Sequence, residues 1–510
     1  MDIFVPKFIQ YQLYLLQLEN YELRRYWKLL FKKGFWPKKK QPQRKELVWT
    51  AKAKAIMLMA WALHGLVIVL AGLITLTVMP GIDNFFTTVI FAVLILLPFY
   101  FILFSLVLIV LKPLDALAKK NLVSRAKFKI LNLQSEITII GVAGSYGKTT
   151  MKEVLSEVLG SRFKVQATPE SVNTPVGIAR WVLNKVTDDT RIIIVEMGEH
   201  YQNDIKDICD IASPDIAVVT GINESHLERM KNMETVVATV FEIVGGSKQG
   251  ATVVLNSEDR NVMQNYQKFV WPDHKIERYE ISDLRLRNFN SEKLCWDAEI
   301  DGIGKIEINL LGEYALADVS ATVKIAKSLG MSYGEIKNGI ANIKPVEHRL
   351  QPMPSPGNVL VIDDSYNGNP DGVREAIKVL SRFTNRRKLV ITPGLVEMGK
   401  SSQEVHREIG RELASTVDVV ILVKNSVTGF IEEGLLSRRH SEGVQPTEES
   451  QTKVKEILHP SEAFGVQDDA AKKPQIIWFD SALEAHAALK NILKPGDVIL
   501  FQNDWGDQYI

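Results

Sequence analysis

Ten consecutive residues carry the clearest chemistry in this chain. Gly141-Val142-Ala143-Gly144-Ser145-Tyr146-Gly147-Lys148-Thr149-Thr150 sets three glycines ahead of a lysine and two threonines, directly after the apolar run "ITII". Gly141, Gly144 and Gly147 let the backbone turn tightly, so that the N–H groups from Gly144 and Ser145 through Thr150 can face phosphate oxygens. Lys148 would reach the terminal phosphates and the Thr149 hydroxyl would ligate Mg2+. A helix opening near Lys148 would add its positive N-terminal end. The strict eight-residue consensus wants glycine at 142, where this chain has Val142. The order of strand, glycine-rich turn, Gly-Lys-Thr and helix still marks a phosphate-binding loop.

Three more groups could serve phosphate chemistry. Glu196 and His226 each fall just past an expected strand, at the carboxyl edge where open α/β sheets bind ligands. A carboxylate and an imidazole there suit Mg2+ near a transferred phosphate, although a histidine such as His226, taken alone, is more often a structural residue. Arg349, in "EHRLQ", would stabilise charge on a phosphoryl group in transfer. Asp363 and Asp364 end an apolar run in "NVLVIDDSYNGNPD". Helix capping accounts for Asn369-Pro370-Asp371, but not for two aspartates closing a buried strand.

These residues need a sheet to hold them. From Ile137 onward, short β-branched runs alternate with amphipathic helical stretches: "ITIIGVAG", "RIIIVEMG", "DIAVVTGI", "ATVVLNS", "NVLVIDDS", "RKLVITPG", "DVVILVKN" and "DVILFQN". Such alternation predicts parallel sheets covered by helices. A seam near Pro345 divides the series into two α/β domains, 136–345 and 346–510. Residues 438–473 are polar and poor in apolar periodicity, and read as a mobile surface insertion.

The front of the chain differs. Residues 1–54 hold 13 Lys/Arg against four Asp/Glu within a chain of formal net charge +1, so the remainder is acidic. The first 36 residues mix aromatic and basic side chains and read as an amphipathic helix at a membrane interface, or as a helix packed on the soluble body. No nucleic-acid motif accompanies them. Residues 55–79 and 85–111 are 25 and 27 residues without a charge, each long enough to cross a bilayer, with Pro98 expected to kink the second. The connector "PGIDN" lacks Lys and Arg, whereas basic residues crowd both outer flanks. This pattern places both termini in the cytoplasm, with a linker at 112–135. Cys209 and Cys295 supply neither a disulfide framework nor a four-thiolate zinc site.

The loop and three further segments together resemble the Mur ligase family. "GSYGKTT" stands where members carry "GTNGKTT". "VEMGEHYQNDIKDICDIASPDIAVVTGINESHLERM", "VEHRLQPMPSPGNVLVIDDSYNGNPDGVREAIKVL" and "GLVEMGKSSQEVHREIG" are similar to the branch that adds D-alanyl-D-alanine to a muramoyl tripeptide. The resemblance implies a P-loop ATPase domain followed by a Rossmann-like domain. The implied chemistry is an ATP-dependent amide ligation through an acyl phosphate, with Mg2+ held by Thr149, Glu196 and His226. It implies a ribose and adenine clamp from Asp363, Asp364, Tyr366 and Asn367, with Tyr366 available for stacking, and places Thr168 and Asn173 near acceptor and phosphates. The acceptor would be a muramoyl peptide, linked to UDP or to lipid, and the donor an amino acid or dipeptide.

Three positions depart from the family pattern. Val240 stands where members have a metal-bridging lysine. Gly312-Glu313-Tyr314-Ala315-Leu316-Ala317-Asp318 replaces "G-x-H-N-x-x-N". The basic segment and apolar hairpin occupy the place of the UDP-gripping domain. Two other readings stay open: a membrane-associated polyglutamate or capsule synthetase of the same chemistry, and a non-catalytic membrane scaffold that kept the fold.

Overall fold

The computed structural model describes residues 5–19, 21–36, 47–78, 84, 86–90, 99–133, 137–170, 172–199, 201–225, 227–366, 368–396, 398–437 and 474–502. His226, Asn367, Pro98, the turn around Gly81 and the segment 438–473 lie outside them. Two compact units are present, Met1–Asn121 and Leu122–Ile510.

In the first unit, helices Lys7–Leu18, Leu23–Lys33 and Ala51–Val78 share one apolar cluster with the start of Tyr100–Leu133. The single interfacial helix expected over the first 36 residues is therefore two helices, broken where Tyr21 turns to φ 63°. Ile9, Tyr11, Leu13, Tyr14, Leu15 and Leu16 are all buried, which is too much of the circumference for a helix lying half in lipid. Trp27 Nε1 donates to Ser105 Oγ at 3.1 Å, and His64 Nδ1 meets Tyr100 Oη at 2.9 Å. The long helices nonetheless leave Leu66, Val69, Leu73, Ile74, Ile102, Leu106 and Ile109 exposed. A soluble core helix would cover such a face, so both are suited by length and surface to crossing a bilayer. The second departs from expectation at its far end. Residues 112–133, read as linker, continue the helix through Pro113, because the sequence beyond it is rich in Leu, Ala and Lys.

In the second unit the strands run β1 (Thr138–Ala143), β2 (Val165–Ala167), β3 (Ile192–Glu196), β4 (Ile216–Val219), β5 (Thr252–Asn256), β6 (Lys275–Tyr279), β7 (Arg285–Asn290), β8 (Cys295–Ile300), β9 (Gly304–Ile308), β10 (Gln351–Ser355), β11 (Val359–Asp364), β12 (Lys388–Thr392), β13 (Val419–Val423), β14 (Gln475–Phe479) and β15 (Val498–Gln502). The first sheet is ordered β2-β3-β1-β4-β5-β6 and is parallel throughout. β7-β8-β9 form a small antiparallel sheet. The last sheet is ordered β10-β11-β15-β12-β13-β14, parallel except for the β10 edge.

β1 lies centrally, bonded on both sides, which explains its unbroken β-branched run. The helix Lys148–Gly160 that follows buries Met151, Val154, Leu155, Val158 and Leu159 against this sheet. Each such side chain contributes about 1.5–3 kcal/mol relative to exposure. The phosphate loop is thus anchored by a central strand before it and a packed helix after it.

Candidate active site

The loop joins β1 to the Lys148–Gly160 helix at the carboxyl edge of the sheet. Gly147 caps the helix at φ 80°, and Gly144 sits at φ 149° with the Thr220 hydroxyl 2.2 Å from where a Cβ would be. Gly144 has no room for a side chain, and the left-handed backbone at Gly147 would strain one. The Ser145 N–H donates to Gly221 O at 2.6 Å, and the Thr220 hydroxyl donates to the Tyr146 carbonyl. The Ser145 hydroxyl is buried with no partner among the described residues. Thr150 follows in the first helical turn.

The Lys148 ammonium donates to Gly144 O and lies 3.1 and 3.0 Å from the two Glu199 carboxylate oxygens. Thr149 Oγ1 donates to Glu196 Oε2 at 3.2 Å. Lys152, one turn on, is fully buried, with Nζ 3.4 Å from the same Glu196 oxygen and 3.1 Å from Glu153. The helix thus delivers two lysines and a threonine to two glutamates at the end of β3. Thr168 and Asn173 belong to this end as braces. The Glu196 N–H donates to the buried Thr168 hydroxyl at 3.0 Å, and the Gly198 N–H donates to the Asn173 carbonyl at 3.0 Å. The Thr168 hydroxyl is thereby tied to the end of β3, with its own O–H still able to donate.

Tyr146 Oη donates to Asp259 Oδ2 at 2.8 Å, and the same oxygen accepts the Ile222 N–H at 3.0 Å. Burial pushes both the Tyr146 phenol and the Asp259 carboxyl up. The Tyr146 ring lies 5.4 Å from that of Tyr314, so the tyrosine of the loop packs on the tyrosine of the altered "G-x-H-N" motif. Val240, the first departure, is fully buried in an apolar cluster.

The C-terminal domain approaches through the segment after β4. Asn223 Nδ2 donates to Asn369 Oδ1 at 3.0 Å and to Asp371 Oδ2 at 2.8 Å. At the end of β11, Asp363 Oδ2 meets His348 Nδ1 at 2.7 Å, and Asp363 Oδ1 accepts the Ser365 N–H at 3.0 Å. That hydrogen bond raises the His348 imidazole above its usual value, with a further contribution from Glu170 of the central domain. Burial lifts the Asp364 carboxyl to about 6, against the pull of the Arg349 guanidinium. Arg349 donates to the Tyr366 carbonyl at 2.6 Å and stacks 5.3 Å over its ring. Arg349 therefore braces the Asp363–Tyr366 turn. Among the described residues no hydrogen bond or ion pair joins it to the loop, and one face of the Tyr366 ring carries Arg349.

Sequence reasoning missed Glu199, Lys152, Asp259, Asn223 and His348. Glu199 had a signal, since it directly follows the Glu-Met-Gly closing β3.

Gly221→Ala gives a direct check on the loop. Its Cβ would fall 2.2 Å from the Tyr146 ring, an overpacking that costs about 1–3 kcal/mol. The expected result is a lower melting temperature and weaker nucleotide binding, both recovered by adding Tyr146→Ala. No recovery would mean that the ring is not what Gly221 accommodates.

The Mur ligase middle domain matches residues 142–326, and the Mur ligase glutamate ligase domain matches residues 348–502. The UDP-N-acetylmuramoyl-tripeptide–D-alanyl-D-alanine ligase of Bacillus subtilis (strain 168) is 25% identical over 342 residues, 67% of this chain and 72% of the relative. Its namesake from Mycobacterium tuberculosis (strain CDC 1551 / Oshkosh) is 27% identical over 374 residues, 71% and 70% of the two chains. The crystal structure of MurF ligase from Thermotoga maritima in complex with ADP shares the fold, with a TM-score of 0.61 over 77% of this chain and 81% of that one at 24% identity. Two ligase domains matched in order, joined across a phosphate loop and the Asn223 bridge, leave one conclusion: the chain belongs to the Mur ligase family and is an ATP-dependent ligase.

Proposed function

We propose that this ligase joins D-alanyl-D-alanine to a muramoyl tripeptide in cell-wall precursor synthesis, working at the cytoplasmic face of a membrane. The observation that carries this reading is the phosphate loop meeting Glu196 at the end of β3, in a chain whose relatives are named for that reaction.

ATP enters as substrate. Lys148 and the loop N–H groups hold its terminal phosphates, while Asp363 and Asp364 stand at the C-terminal domain's edge to receive the nucleoside. The residues present fit Mg2+: the Thr149 hydroxyl and Glu196 carboxylate are oxygen donors 3.2 Å apart at the helix start, with His226 as the further ligand suggested by resemblance. Bound there, the ion would neutralise phosphate charge. An acceptor carboxylate oxygen attacks the γ-phosphorus, the bond to the β-phosphate oxygen breaks, and ADP leaves. The donor amine then attacks the acyl-phosphate carbon, loses a proton and expels phosphate. The Asn223 bridge to Asn369 and Asp371 holds the two domains together around both steps.

The test is purified full-length protein in detergent with ATP, Mg2+, D-alanyl-D-alanine and either a UDP-linked or a lipid-linked muramoyl tripeptide, followed by ADP release and product mass. Turnover with free glutamate and none with D-alanyl-D-alanine would replace this reading by the polyglutamate one. Absence of any ATP turnover would favour the scaffold.

The exposed apolar faces of helices Ala51–Val78 and Tyr100–Leu133 support two spans with both ends cytoplasmic. A cysteine at Ile82 should then react with an impermeant thiol reagent on intact cells. A cysteine at Lys40 should not, and labelling there would reverse the orientation.

A further inference from the structure

Among the described residues Glu199 is the one acidic group that touches the loop lysine, and neither the reaction above nor the metal needs it. Its side chain is 1% exposed, and both its oxygens lie within 3.1 Å of Lys148 Nζ. Among the described residues no other donor reaches either oxygen. Glu196 is in a different position, since it already shares the Thr149 hydroxyl and the buried Lys152 ammonium. Two neighbouring lysine–glutamate pairs are therefore unequal. In one, Lys152 Nζ stands 3.4 Å from Glu196 with no hydrogen-bond partner among the described residues, and the other spends on a carboxylate the very ammonium that must bind phosphate.

We propose that Glu199 is a positioning residue that competes with the phosphates for Lys148 and so sets the nucleotide affinity of the site. This rests on the assignment of Lys148 as phosphate ligand. Without nucleotide, Glu199 holds the ammonium against Gly144 O, in the loop and ready. When a polyphosphate takes the ammonium, Glu199 is left buried, negative and beside a second anion. A buried charge stripped of its partner is strongly unfavourable, and like charges at this range repel through a medium poorer than water. The loop is thus pre-organised but biased against free nucleotide. A cation arriving with the nucleotide offsets part of that bias, so the preference for Mg2+-nucleotide over bare nucleotide should be unusually large.

The experiment is calorimetric titration of the full-length protein in detergent with ADP, with and without Mg2+, for wild type, Glu199→Gln, Glu199→Ala and Glu199→Asp. The expected result is at least a ten-fold tighter Kd for bare ADP in the Gln and Ala variants. The Asp variant, which keeps the charge, should stay within about three-fold of wild type. The gap between ADP and Mg2+-ADP should narrow when the charge is removed, an effect that loss of a merely structural contact would not produce. Unchanged or weaker ADP binding in whichever neutral variant folds would overturn the competition, as would an Asp variant that binds like the neutral ones. Failure of the wild type to bind ADP at all would instead remove the assignment of Lys148 on which the proposal rests.

Discussion

Lys148→Ala should reduce ADP formation by on the order of 10²–10³-fold or more, the effect of removing one charged or hydrogen-bonding group from a developing anion. The ammonium sits inside the loop, donating to Gly144 O, and the neighbouring cation Lys152 is committed to Glu196 and Glu153. No nearby lysine can therefore replace it. The substitution has a second consequence that must be separated from the first. It strips Glu199 of its partner, and leaving one member of a buried pair alone typically costs about 3–5 kcal/mol. A lowered melting temperature in Lys148→Ala would thus not by itself mean a broken site. Lys148→Ala/Glu199→Gln removes the orphaned charge, so it should melt close to wild type and remain inactive. Wild-type turnover in the double variant would sink the phosphate role of Lys148. The same assay separates enzyme from scaffold, because a scaffold would give no ADP in the wild type either.

Much of this architecture was legible because its strands are buried on both faces. Each of the eight β-branched runs read from the sequence is a strand, and β1 with its glycine-rich turn declared the loop. Most of the strands missed have poor or mixed signals, β14 with its run "QIIWF" being the exception. β2 is three residues long, β6 exposes four of its five residues, and β10 contains two prolines. β8 and β9 alternate "CWDAEI" with "GKIEI" around an Asp-Gly turn, a hairpin signal visible in retrospect. The helix through Pro113 was ended at residue 111 because the charge-free run stops at Lys112, although packing of residues 122–133 sustains it.

At the site, residue types were legible and pairings were not. Nothing in the spacing reveals that Thr168 serves the Glu196 backbone or that Arg349 rests on Tyr366, because each depends on how two separate strand ends meet. Tyr146 of the loop and Tyr314 of the altered motif stand 168 positions apart in the sequence. In the fold they pack on one another, so the loop and the helix that carries the altered motif share one aromatic contact. Val240 tells a simpler story. An apolar residue at 0% exposure among Val236, Val237 and Phe241 has no room for a charged bridge, so any second cation must find its ligands elsewhere.

Removal of the hairpin should separate acceptor from nucleotide. The cut point follows from packing. Ala126 and Ile130 are buried in the core around β1 and β3, with Leu122, Val123 and Leu133 against them. A chain starting at Lys119 keeps this helical segment, whereas one starting after Leu133 exposes an apolar face and should aggregate. The loop, Glu196 and Asp363 all lie within Leu122–Ile510, so the Lys119 form should keep its KM for ATP. The acceptor is different. Confinement to a surface raises the effective concentration of a partner on the same surface, to about the millimolar range for short tethers. With a lipid-linked muramoyl peptide in liposomes, the truncated enzyme should therefore show a raised KM for acceptor at unchanged kcat. With a UDP-linked acceptor in solution the two forms should match. A hairpin that itself gripped the sugar nucleotide would give the opposite pattern, with truncation harming the soluble acceptor as well. Equal acceptor kinetics for both forms on liposomes would refute acceptor capture and leave the hairpin a simple anchor.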